Sequence, residues 1–80
     1  MNQMPTNPYN ARAQAAYFRS EGEGACIPRG ESDLLCDEEG KYYVALSNCN
    51  GVLAVYRVRN DGMLKRLKRW PRAITEIYAA

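Results

Sequence analysis

Residues 41–70 read KYYVALSNCNGVLAVYRVRNDGMLKRLKRW. Runs of strand-forming residues are divided there by Asn50-Gly51 and Asp61-Gly62. Glycine reaches positive φ without a Cβ clash, so each pair marks a hairpin turn. The pattern predicts a three-stranded antiparallel meander. A three-residue loop, Cys49-Asn50-Gly51, would pair Asn48 with Val52. That register sends Tyr42, Val44, Leu46, Val52, Ala54, Tyr56 and Val58 to one face. Tyr43, Ala45, Ser47, Leu53, Val55, Arg57 and Arg59 take the other. A loop one residue shorter or longer would reverse the faces, because side chains alternate along a strand.

The third run, Met63 to Trp70, admits two readings. Leu64, Leu67 and Trp70 stand three apart, and Ile74 and Ile77 continue the spacing, which suits a helix. Pro71 interrupts that helix by removing a donor and clashing one turn back. The Asn60-Asp61-Gly62 turn directly after a strong strand favours a returning strand, and a strand is the expectation.

Working outward, Asp33 to Cys36 reads as a short edge strand that turns through Asp37-Glu38-Glu39-Gly40 into the meander. Glu21 to Ser32 holds Gly, Pro and charge without periodicity, hence a surface loop, with Cys26 and Ile27 as its apolar anchors. Pro8 to Ser20 is rich in helix formers, and Asn7-Pro8 suits a helix start. Tyr9, Ala13, Ala16 and Tyr17 share one face of that helix, with Arg12 and Arg19 opposite and Phe18 at the margin. The Glu21-Gly22-Glu23-Gly24 sequence ends it. Residues 1–7 read as a flexible tail. After Trp70, Pro71 can open a short helix carrying Ile74, Ile77 and Tyr78 on one face, although AITEIY would also suit a fourth strand. The expected fold is α+β: an N-terminal helix packed on the Val44/Tyr56 face of a three- or four-stranded antiparallel meander, then a short C-terminal helix. Residues 8–80 form a single domain.

Several function classes find no support. The chain has no histidine to act as a general base and no Ser or Cys in a nucleophile motif. Its carboxylates Glu31, Asp33, Asp37, Glu38 and Glu39 cluster on one stretch without the calcium-loop pattern, and read as a solvated turn. Gly22 and Gly24 make a bare G-x-G, short of a phosphate loop. Cys26, Cys36 and Cys49 lack C-x-x-C spacing and are one short of a four-thiolate zinc site. They are expected as free, reduced thiols, with no metal or cofactor. No apolar run approaches the roughly eighteen residues of a membrane span. The first residues have no signal-peptide core, which points to the cytoplasm. A non-enzymatic binding module is the expectation.

Charge supplies the positive clue. Residues 1–40 hold three basic and seven acidic groups, net −4, whereas residues 41–80 hold eight basic and two acidic, net +6. Arg57, Arg59, Lys65, Arg66, Lys68, Arg69 and Arg72 crowd one stretch, with Trp70 and Tyr56 among them. Cations neutralise phosphates and exposed aromatics stack on bases, so this cluster is the candidate contact for DNA or RNA. The competing reading is an edge strand loaded with Lys and Arg against edge-to-edge pairing. Arg, Tyr and Trp also dominate protein interfaces, so an adaptor or inhibitor acting on a protein partner is the alternative, with a homodimer as a weaker one. The sequence carries no zinc-finger, RNP or helix-turn-helix signature.

Overall fold

A computed structural model describes residues 1–22, 24 and 26–78. Glu23, part of the expected helix stop, lies outside the described residues. In chain order the elements are β1 (Asn2–Gln3), α1 (Asn10–Glu21), β2 (Asp33–Cys36), β3 (Tyr42–Asn48), β4 (Gly51–Val58), β5 (Leu64–Arg66) and α2 (Arg72–Ile77). The strands form one sheet in sequence order, each antiparallel to its neighbour. The fold is α+β with a strand meander, and it has five strands where three or four are expected from sequence.

The additional strands come from the N-terminal half. β2 has the expected bounds but is not an edge, because β1 pairs outside it through Asn2↔Cys36 and Gln3↔Leu35. Met4 N–H donates to Leu34 O at 2.8 Å, and Asn7 Nδ2 donates to both Oγ and O of Ser32. Residues 2–4 are thus bonded along β2 and Asn7 to Ser32 just ahead of it, where a flexible tail over residues 1–7 is expected from sequence. At the other end, β5 is a strand and no helix runs through Pro71; Leu67 N–H extends the ladder to Val55 O at 2.9 Å.

β3 explains the layering. Tyr43 through Ser47 are all buried, so both faces of this central strand are covered. α1 crosses one face, where Ala13 and Tyr17 pack with Leu34, Val44, Leu46, Ala54 and Tyr56. α2 covers the other, where Ile74 packs with Leu35, Tyr43, Ala45 and Val55. The helix stripe Tyr9, Ala13, Ala16 and Tyr17 faces the sheet as its spacing predicts, and Phe18 is left 44% exposed. α1 begins two residues after Pro8, because Asn7 Oδ1 accepts from Tyr9 N–H and closes a turn ahead of the helix. Gly22, at φ 69°, ends it by donating to Phe18 O.

The β3–β4 hairpin departs from the expected register at its tip only. Tyr42↔Val58 through Leu46↔Ala54 are paired as predicted, but the shift between Leu46 and Ser47 pairs Ser47 with Val52 and Asn48 with Gly51. The loop is therefore the two residues Cys49 and Asn50, and Leu53 is the extra residue of a bulge. Asn48 Oδ1 accepting from Asn50 N–H at 2.8 Å, with Gly51 at φ 120°, tightens the turn. Val52 consequently packs on the α2 face and Leu53 on the α1 face, the reverse of the sequence reading.

Two further anchors differ. Ile27 is 75% exposed and Cys26 is exposed, whereas Pro28 and Ser32 are buried. The loop is held by polar bonds: Asn10 Oδ1 accepts from Ser32 N–H and Oγ–H, Gln14 Nε2 donates to Arg29 O, and Arg29 N–H donates to Ser47 O. In α2, Ile74 is buried and Tyr78 half-buried, while Ile77 faces solvent. Tyr78 Oη donates to Asp33 Oδ2 and so latches the helix end to β2. Among the described residues no helix is long and apolar enough to cross a membrane.

A six-residue helix has little stability of its own, so α2 must be held by this docking. Ile74→Ala is expected to cost about 2–5 kcal/mol, as a core truncation does. Urea unfolding followed by circular dichroism measures this, and a loss below about 0.5 kcal/mol, typical of a surface site, would mean that α2 is not docked.

Candidate functional site

The β4–β5 hairpin sorts the basic cluster by simple alternation. Val58 pairs with Leu64, Arg57 with Lys65 and Tyr56 with Arg66. Leu64 and Tyr56 pack on the α1 side, so Arg66 falls on that side and Arg57 and Lys65 on the other. Arg59, two residues beyond Arg57, continues the α2 face, and its N–H donates to Met63 O at 2.8 Å. Gly62, at φ 82°, closes the turn by donating to Arg59 O.

α2 covers Tyr43 and Val55 but stops short of the hairpin end. Arg57, Arg59 and Lys65 are exposed there and line an open hollow with Asn60, Asp61 and Leu64. Asp61 is the one carboxylate of that lining, and its Oδ1 accepts from Met63 N–H at 3.0 Å. None of the three cations forms an ion pair with a described carboxylate. Tyr43 borders them from within the sheet. Burial raises its phenol pKa and Asp37 raises it further, with Lys41 and Arg57 opposing. Asp37 itself is held below the usual carboxylate range, first by the backbone N–H of Lys41, with Glu39 N–H and the Tyr43 hydroxyl adding to it. The acidic turn thus has a structural duty in closing the β2–β3 hairpin.

The remaining sequence candidates go elsewhere. Arg66 is engaged inside the molecule. It ion-pairs with Glu21, donates to Ser20 Oγ at 2.8 Å and lies over the Tyr17 ring at 5.8 Å. Lys68 and Arg69 are exposed in the bend after β5, unpaired with any described carboxylate, and Lys68 lines a second hollow with Leu53, Arg66, Leu67 and Trp70. Trp70 is half-buried against the α2-face core, and its indole N–H donates to Thr75 Oγ1 at 2.9 Å. Arg72 is on α2, 91% exposed, with a loose contact to Glu76 at 3.9 Å. Tyr56, expected beside the cations, is only 3% exposed in the α1-face core, and its hydroxyl has no described partner.

The structure therefore brings Arg57, Arg59 and Lys65 together, leaves Lys68 and Arg69 exposed in the bend after β5, ties the partly exposed Arg66 to Glu21, Ser20 and the Tyr17 ring, and buries Tyr56 and much of Trp70. Sequence reasoning passed over Lys41, which acts on Tyr43 from two residues earlier, just ahead of β3, and pairs with Glu39 at 3.2 Å. Its alternation with Tyr43 was the available signal. Among the described residues no group of three or more His, Cys, Asp or Glu is placed to hold a metal ion. Compared with family models, with curated proteins and with solved structures, the chain matches none.

Arg66 should behave as a structural residue and Arg57 as a free one. Arg66→Gln is expected to lower stability by about 1–2 kcal/mol, from a half-exposed ion pair and a cation–π contact. Arg57→Gln should change it by less than about 0.5 kcal/mol. Parallel urea titrations decide, and equal effects would contradict the sorting.

Proposed function

We propose that this protein is a small, non-enzymatic, cytoplasmic binding module that contacts nucleic acid through the uncovered end of its β4–β5 hairpin. The observation that carries the reading is the placement of Arg57, Arg59 and Lys65 on one face, beyond the reach of α2 and without a described ion-pair partner. Concentrating like charge on adjacent strands costs some stability through mutual repulsion. A polyanion reverses that sign, since each neutralised phosphate also releases counterions. Lys68 and Arg69 add two exposed cations in the bend that follows the same edge strand.

A second reading, contact with a protein partner, draws on different residues. Phe18, Met63 and Ile77 are exposed large apolar side chains, and such groups with nearby Arg are interface material. They are scattered over α1, the β4–β5 loop and α2, so the cationic surface is the better-formed feature.

Fluorescence anisotropy with a labelled oligonucleotide at several salt concentrations tests the proposal. Three to five phosphate contacts predict a slope of log K against log salt of about −3 to −4.5 on duplex. Replacing Arg57, Arg59 and Lys65 together by Gln should remove roughly 3 units of that slope while the protein stays folded. Absence of binding at low salt would remove nucleic acid as the partner. A folded but aggregating triple variant with unchanged binding would assign the cations to edge protection.

A further inference from the structure

Resting on the nucleic-acid reading, we infer that the surface recognises the phosphate backbone of a duplex independently of its bases. Binding of single strands depends on aromatic platforms on which successive bases stack. The sequence offers such platforms, but the fold puts none in the lining around Arg57, Arg59 and Lys65. Tyr56 is buried beneath α1, and Tyr43 is buried with its hydroxyl on Asp37. Trp70 borders the Lys68 hollow, yet its ring packs against the α2-face core and its N–H is bound to Thr75. Tyr42 is exposed, but it pairs with Val58 on the α1 side, away from Arg57. What remains at the corner is charge: Arg57, Arg59 and Lys65, with Lys68 and Arg69 exposed in the bend after β5.

The spacing of that charge suits a rigid polyanion. Arg57 and Arg59, the latter just past the end of β4, are separated by about 6.8 Å along the strand direction, and Lys65 lies one strand away, about 4.8 Å. From the Arg59–Met63 level to the Val55–Leu67 level the hairpin is four residues long, about 14 Å. A duplex carries one charge per about 1.7 Å of axis, so this length spans about eight phosphates around the helix, and the side turned to the corner offers enough for its three cations. A flexible single strand has the lower charge density and gains nothing here from stacking. Apart from Asn60 and Asp61, no uncharged or acidic hydrogen-bonding side chain that could read base edges lines the hollow with the cations.

The test titrates the full chain with a 20-base-pair DNA duplex (a length of roughly 20 steps exceeds the site), a second duplex of unrelated sequence, and the separated single strands, following both anisotropy and the emission of Trp70. The expected result is similar affinity for both duplexes, within about threefold, weaker binding of either single strand, and unchanged Trp70 emission. Single strands binding about tenfold tighter with quenching of Trp70 would overturn base-independent recognition while leaving nucleic-acid binding in place. A preference of one duplex over the other by more than about tenfold would do the same. If no strand or duplex binds at low salt, the underlying reading fails and this inference fails with it.

Discussion

β3 has to be covered twice. Val44 and Leu46 point to one side of the sheet and Tyr43 and Ala45 to the other, and all four are buried. In a chain of 80 residues this double requirement consumes nearly all of the secondary structure. α1 meets it on one face with a stripe of Ala and Tyr, whose small members let the helix lie close to the strands. On the other face the work falls to a six-residue helix, the half-buried Trp70 and the latch from Tyr78 to Asp33. The shortage of covering chain is what leaves the hairpin end of that face open.

The placement of cations follows from this shortage. At the open corner an apolar side chain would stand in water, and the sequence supplies Arg57, Arg59 and Lys65 there. Where the same hairpin meets α1, the cation is Arg66, and it is absorbed by Glu21, Ser20 and the Tyr17 ring. Neighbouring residues in one basic run therefore have opposite fates, decided by the two-residue period of the strand. Part of the acidic N-terminal half is likewise consumed internally: Asp37 closes a hairpin, Asp33 receives Gln3 and Tyr78, and Glu21 holds Arg66. The overall charge asymmetry is thus partly structural, and the corner is where unpaired cations from adjacent strands are grouped for an outside partner.

Much of the fold was legible in the sequence because it rests on local signals. The alternation across Tyr42–Leu46 and Ala54–Val58, the turns at Gly51 and Gly62, and the stripe of α1 each depend on residues close in the chain. The misread parts depend on distant partners. Asn2 and Gln3 have no strand signature and become a strand because β2 presents an unpaired edge to them. The bulge at Leu53 arises from an Asx turn at Asn48, whose side-chain amide also donates to Ile27 O across the loop. The loop is anchored by Pro28 and by Asn and Ser bonds, which composition does not rank as anchors. For the site, the residue types were legible and their sorting was not. The fate of Trp70 depended on Thr75, and that of Arg66 on Glu21, some forty-five residues earlier in the chain.

The central claim is that the corner cations are no part of what holds the fold together. Native-state amide hydrogen exchange measures this most directly, because the slowest amides report global opening. In the wild-type chain Val44–Leu46 and Ala54–Tyr56 should exchange slowest. The account predicts that the variant with Arg57, Arg59 and Lys65 replaced by Gln keeps those rates within about threefold, a change below roughly 0.7 kcal/mol. Acceleration of the β3 and β4 amides by about a hundredfold, equivalent to roughly 2.7 kcal/mol, would show that the three cations are structural and contradict it.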